Sequence, residues 1–352
     1  SDIQPPTPDD FAEETPTKMD QVVATLEATY ILKTEQRKDF VEFYDAIRRS
    51  DQTAFRIEFD KCDGEGATMT KRFELEATVR AIFHSQPNPV SIQHLLLATD
   101  LGAHFPWKFL IFPEPYISVS QYYTEVDKED NTPQLAHRFA INSFLGIQML
   151  HKVDIVHGDI RPENMFIGQN RHRRTVKIAN FEHASSSTKE IPKGSELVNM
   201  TYASRGRMRN YEGCKKDDIE SWIYCVAEFF HKELVPWHPD HNQMTPHGQP
   251  GHEKDMLKLK RAFCTRKLWK ASREVLFPEF DQILQHIVRV SGKGEIPYDL
   301  IWNCLNSANL YLETNLFGIG APWIKANQGA PTTPSSFLCT PIENTMEDYE
   351  GR

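Results

Sequence analysis

Three shortages narrow the sequence before any motif is read. Its 352 residues carry no excess of basic side chains: 40 Lys and Arg against 49 Asp and Glu give a net charge of −9. Phosphate backbones are bound by clustered cations, so nucleic acid is not an expected partner. No apolar run approaches the roughly 18–20 residues of a membrane-spanning helix, and the first residues are polar rather than those of a signal peptide. No membrane partner is expected, and the expected setting is intracellular, cytoplasmic or nuclear. The six cysteines (Cys62, Cys214, Cys225, Cys264, Cys304, Cys339) form no CxxC pair and no Cys/His cluster of zinc spacing. Reduced thiols follow.

What is present is a chain with 39% hydrophobic residues, enough for a sizeable two-lobed or two-domain core. Residues 1–20 and 318–352 stand apart, the first rich in Pro, Thr and acids, the second in Gly, Pro, Ser and Thr. Both compositions predict disordered tails. They hold Thr7-Pro8, Thr15-Pro16, Thr333-Pro334 and Thr340-Pro341, candidate phosphosites. Between the tails, Tyr30–Leu32, Phe40–Phe43, Ala54–Phe59 and Phe109–Phe112 read as strands. Glu74–Phe83 reads as the one helix among them. Helices are then predicted from Thr132-Pro133 to about Lys152, with Ile141, Phe144, Leu145 and Met149 on the apolar stripe. Others are expected over Glu253–Lys270, Pro278–Val290 and from Pro297. Pro239–Gly251 reads as a polar loop, and His238, His241, His247 and His252 as solvated side chains.

The stretch Ile155–Glu182, IVHGDIRPENMFIGQNRHRRTVKIANFE, carries the chemistry. Met165–Ile167 and Val176–Ala179 are apolar runs about a polar turn, the pattern of a hairpin. Before them lies HGDIRPEN, with a carboxylate, a cation and an amide closely spaced; after them comes Asn180-Phe181-Glu182. This resembles the catalytic loop and metal-binding turn of a protein kinase, H-R-D-x-K-x-x-N and D-F-G. Tyr202-Ala203-Ser204, the GCKKDDIESWIY run at 213–224 and Leu234-Val235-Pro236-Trp237 are similar to the casein kinase 1 superfamily, which includes the tau-tubulin and vaccinia-related kinases. The resemblance spans about residues 28–313. It implies an α+β, bilobal protein-kinase-like fold: a small β-rich N-lobe with one main helix over 21–114, and a larger α-helical C-lobe over 115–317.

The resemblance also assigns roles. Asp159 matches the catalytic base, Asn164 an amide that helps hold metal, and Arg161 the cation near the transferred phosphate. Arg56 stands for the strand lysine that meets the phosphates, and Glu76 for its ion-pair partner on the helix. Phe112 falls near the gate of the adenine pocket and Phe166 at its floor, where a ring would fill part of the space. Asp218 is expected to cap its helix and tie down the catalytic loop. Ile219, Trp222, Ile223, Val226, Ala227 and Phe230 form that helix's buried stripe.

The departures bear on function. Thr34–Tyr44, in place of the Gly-rich loop, contains no glycine, although only Gly lets backbone amides approach phosphates closely. Arg is bulkier and planar where a compact ammonium should fit. Asn180 offers a neutral oxygen where Mg²⁺ prefers a carboxylate; with Asn164 it makes the candidate metal pair. Gly158 replaces an Arg, as also in the vaccinia-related kinases. Thr201 replaces the basic residue that favours acidic substrates. The expectation is a pseudokinase, a protein-binding, scaffolding or regulatory module that holds no cofactor, with ATP the candidate ligand and Mg²⁺ poorly served. The alternative is an active or weakly active Ser/Thr kinase using Asp159 as base.

Overall fold

The computed structural model describes residues 22–24, 28–38, 41–61, 68–86, 92–104, 107–113, 116–125, 133–168, 175–186, 199–230, 234–238, 251–265, 279–292 and 294–316. Both tails beyond these bounds, their Thr-Pro sites and residues 239–250 lie outside them. The described residues up to Leu310 make one compact unit.

The first lobe is an antiparallel sheet of β1 (Val22–Ala24), β2 (Thr29–Lys38), β3 (Val41–Arg48), β4 (Ala54–Lys61), β5 (Asp100–His104) and β6 (Trp107–Phe112). The strand order is β1-β2-β3-β4-β6-β5. One helix, α1 (Thr68–His84), interrupts the strands. It is longer at both ends than the apolar pattern of residues 74–83 suggests.

Register across β4 and β6 decides what faces the cleft. Arg56 pairs with Phe112, Ile57 with Ile111, Glu58 with Leu110 and Phe59 with Phe109. Strand side chains alternate between faces. Accordingly Ile57, Phe59, Phe109 and Ile111 pack with Tyr30, Leu32, Tyr44, Ala46 and Phe55. Leu110 and Phe112 point to the other face, with Leu96, Ala98, Tyr116 and Ala179. Arg56 and Glu58 share that second face.

The second lobe begins with β7 (Tyr116–Ser118) and α2 (Val119–Glu125), then α3 (Pro133–Lys152). The Ser118 hydroxyl accepts the Gln121 amide at 3.0 Å, capping α2. Helix α3 buries Leu135, Ala136, Phe139, Ala140, Phe144, Ile147 and Leu150. Its core face is therefore rotated from the expected stripe: Phe144 is buried, whereas Ile141, Leu145 and Met149 are only half-buried. Short strands β8 (Ile155–Val156), β9 (Met165–Gly168), β10 (Val176–Ile178) and β11 (Ser185–Ser186) follow. β10, β9 and β7 form one sheet, with β9 and β10 in the expected hairpin, and β8 pairs with β11.

Helix α4 (Lys215–Phe230) is the spine of this lobe, and α5 (His252–Cys264), α6 (Phe280–Arg289) and α7 (Tyr298–Leu316) pack around it or beyond. Ile219, Trp222, Ile223, Val226 and Ala227 are fully buried, whereas Phe230, the last of the expected stripe, is half-buried. The Trp222 indole finds the Ser143 hydroxyl at 3.0 Å, so its one polar atom is satisfied in the core. Phe280, Ile283, Leu284 and Ile287 are buried as their spacing predicts. His252 is not a solvated loop residue: it opens α5 and is buried. Helix α5 runs to Cys264, and residues 266–270 of the expected helix lie outside the described residues.

Candidate functional site

The loop after β8 carries Asp159, and α4 holds that loop in place. The Asp218 carboxylate accepts the His157 amide at 2.7 Å and the Gly158 amide at 2.9 Å. It also meets His151 Nε2 at 3.0 Å. Asp218 thus ties down the loop as expected, but it does not cap the helix. It lies inside α4, and the helix entry is secured by Asp217, whose carboxylate accepts the Cys214 amide at 2.8 Å.

Gly158 has φ +80°, and a Cβ there would lie 2.6 Å from the His183 carbonyl oxygen. The backbone path excludes the side chain that the kinase pattern usually places here. His157 donates from Nε2 to Ala179 O at 3.0 Å and accepts the Asp159 amide on Nδ1 at 3.2 Å. Both ring nitrogens are committed to the backbone.

Asp159, Asn164 and Asn180 are brought together in one chain of hydrogen bonds. Asn164 Nδ2 donates to Asp159 Oδ2 at 2.7 Å and to the Asp159 carbonyl at 2.8 Å. A carboxylate can only accept, so Asn164 must turn its oxygen the other way. That oxygen accepts Asn180 Nδ2 at 3.0 Å. The orientation of Asn180 is fixed in turn, and its own Oδ1 is buried without a partner. Asn180 adopts φ +64°, a left-handed conformation that Asn tolerates better than most residues. Arg161 Nε lies 3.1 Å from Asp159 Oδ2. The contact is one of charge, since the N–H is not aimed at that oxygen.

Magnesium fits this set poorly. The Asn164 oxygen is consumed by an amide, Asn180 is neutral, and Asp159 already faces a guanidinium. Among the described residues no group of three His, Cys, Asp or Glu side chains could hold a metal ion.

Arg56 and Glu76 are both buried. Glu76 accepts the Ala98 amide at 2.9 Å. Arg56 donates to the Tyr116 carbonyl at 2.5 Å and reaches Asp45 at 3.5 Å. Its guanidinium also lies 4.7 Å from the centre of the Tyr116 ring.

Tyr116 is the site residue that the sequence reading missed. Its ring lies 4.8 Å from Phe166 and 5.6 Å from Phe112, edge-on to both. Its hydroxyl donates to Glu58 at 2.7 Å. Phe112, Phe166, Arg56 and Glu58 therefore converge on one phenol. Leu96, Ala98, Leu110 and Ala179 complete the cluster. The signal available was Arg56-x-Glu58: two charges on one face of a strand, a face that needs a polar partner if it is covered.

On the other side of the acid loop, the Tyr202-Ala203-Ser204 segment is anchored from below. Trp237 Nε1 donates to Thr201 O at 2.8 Å. The fully buried Lys260 donates to Met200 O at 2.7 Å and Ala203 O at 2.5 Å. Beneath it, Arg205 pairs with Glu220 at 2.9 Å. Burial alone would raise the Glu220 carboxyl, but the Arg205 charge outweighs it and holds the group near 2. Thr201 is itself buried, so it presents little surface to a substrate.

No family model matches the chain. Among curated proteins it is similar to two from Caenorhabditis elegans. "Putative serine/threonine-protein kinase ZK507.1" is 22% identical over 152 residues, 41% of this chain and 46% of that protein. "Putative serine/threonine-protein kinase ZK507.3" is 23% identical over 168 residues, 48% of this chain and 42% of that protein. The match spans less than half the length of either relative. Among solved structures, that of vaccinia related kinase 3 aligns with a TM-score of 0.63 at 17% identity, covering 86% of this chain and 93% of that one. The chain has the bilobal α+β fold of a protein kinase, as its motifs imply.

Proposed function

We propose that this chain is a pseudokinase: a kinase fold that transfers no phosphate and serves as a protein-binding or regulatory module. One observation carries the reading. Asp159, Asn164 and Asn180 are bonded to one another, so the Asn164 oxygen that should face a metal instead accepts an amide hydrogen. Phosphoryl transfer depends on positioning and on neutralising charge. Here the expected strand cation is turned to the Tyr116 carbonyl and the expected metal carboxylate is an amide.

One observation favours a weak Ser/Thr kinase instead. The Asn180 oxygen is buried and unpaired near a retained Asp159, and an orphaned acceptor costs about 1–3 kcal/mol unless something meets it. A phosphotransfer assay on a generic protein substrate separates the two readings. The proposal expects wild type and Asp159→Asn to be equally silent. Transfer by the wild type that disappears in Asp159→Asn would overturn it.

A further inference from the structure

The metal-facing half and the base-facing half of a kinase cleft can be lost independently, and the base-facing half here has an occupant. The cleft face of the sheet is set by register: Arg56 and Phe112 lie abreast, as do Glu58 and Leu110. The floor of the same cleft is Phe166 on β9, with Ala179 just after β10. Tyr116 starts β7, whose register opposite β9 places it across from Gly168, where no side chain competes for space. From there the ring crosses between floor and sheet and touches both Phe166 and Phe112. Its hydroxyl ends on Glu58, while Arg56 covers its face and grips its carbonyl.

We infer that the Tyr116 phenol is an intramolecular ligand of the base pocket, occupying the seat of a flat heteroaromatic, and that its removal opens a slot for a purine nucleoside. The inference rests on the kinase-fold reading above but not on the closed metal set. The ring is 4% exposed, so it is a packed part of the interior rather than a rim. Aromatic contacts of this geometry stabilise the ring beyond its burial. A buried phenol bonded to a carboxylate adds a charge-assisted bond. Without the ring, the slot keeps an apolar floor and gate. The Glu58 carboxylate and the Arg56 guanidinium stand at its edge, where the phenol met them. That is a lining for an uncharged ring bearing hydrogen-bond donors and acceptors.

The test is titration of adenosine, without metal, into the wild type, Tyr116→Phe and Tyr116→Gly, read by calorimetry and by melting temperature. Adenosine has no phosphates, so the state of the Asn164–Asn180 pair does not enter. Tyr116→Gly is expected to bind adenosine at least about tenfold more tightly than wild type, and to gain melting temperature with ligand concentration by mass action. Tyr116→Phe, which keeps the ring, should stay as blind as the wild type. If the glycine variant does not fold, Tyr116→Leu, which keeps an apolar group but no ring, is held to the same criterion. Equal adenosine affinity in wild type and ring-less variant, or no binding by a folded ring-less variant, would overturn the inference. Phosphotransfer is measured on the same variants with MgATP. Its appearance once the pocket opens would sink the pseudokinase reading while leaving Tyr116 as the occupant.

Discussion

Replacing Lys260 by methionine asks how the segment before the Tyr202-Ala203-Ser204 turn is held. The ammonium is fully buried, donates to two carbonyls, and lies 4.9 Å from the Tyr224 ring centre and 5.7 Å from that of Trp237. Burial pulls its pKa from 10.5 to about 7, a fall only partly opposed by the Glu220 carboxylate. The other ionisable groups that act on it are Cys264, Arg205 and Cys225. In the unfolded chain the same lysine titrates near 10.5. Between about pH 7 and 10.5 the folded chain therefore holds fewer protons than the unfolded one, and the contribution of this group to stability rises with pH. The full rise is on the order of 5 kcal/mol, at about 1.4 kcal/mol for each tenfold.

Methionine removes that pH dependence but leaves the Met200 and Ala203 carbonyls without this donor, at about 1–3 kcal/mol each. Urea unfolding of both proteins from pH 7 to pH 10 is the assay. Burial also raises the pKa of Cys225, Cys264 and Tyr224, which lowers stability at alkaline pH in both proteins. The difference between the two curves reports Lys260 together with its pull on the Cys264 thiol. Wild type should gain on Lys260→Met steadily across the window. Parallel curves would refute the buried-ammonium argument.

Other perturbations test the frame around the acid loop. Asp218→Ala leaves the His157 and Gly158 amides without their acceptor and should cost about 2–5 kcal/mol by denaturant unfolding. Gly158→Ala puts a Cβ against the His183 carbonyl at positive φ; a loss of about 1–3 kcal/mol or more, seen as a lower melting temperature, is expected. Asn180→Asp removes the donor to Asn164 and sets a second carboxylate near Asp159. Its melting temperature should fall in chelator and recover with Mg²⁺ or Mn²⁺, whereas wild type should ignore both metals.

The sequence announces the acid loop because its chemistry is local. HGDIRPEN and NFE lie within thirty residues, and a hairpin brings them together. The α4 and α6 stripes are equally plain, since apolar spacing alone sets a helix face. The α3 stripe is misleading because that helix is apolar on much of its surface, and neighbours decide which side is buried. Tyr116 follows two prolines in what reads only as a linker between lobes. Its importance depends on strand register, through residues 50 to 60 positions away in sequence: Arg56, Glu58 and Phe166. Lys260 sits in the run Lys258–Arg261, which looks like a solvated basic face. Only the packing of α5 against the Met200–Ala203 segment shows that one of these cations points inward.

The central claim is that this kinase fold does not engage the metal–nucleotide complex that phosphotransfer needs. A thermal-shift titration of the wild type with ATP, with and without Mg²⁺ or Mn²⁺, measures it most directly, because any ligand of the native state alone must raise its stability. The account predicts an unchanged melting temperature at millimolar ATP under every metal condition. A rise that requires the metal would contradict it.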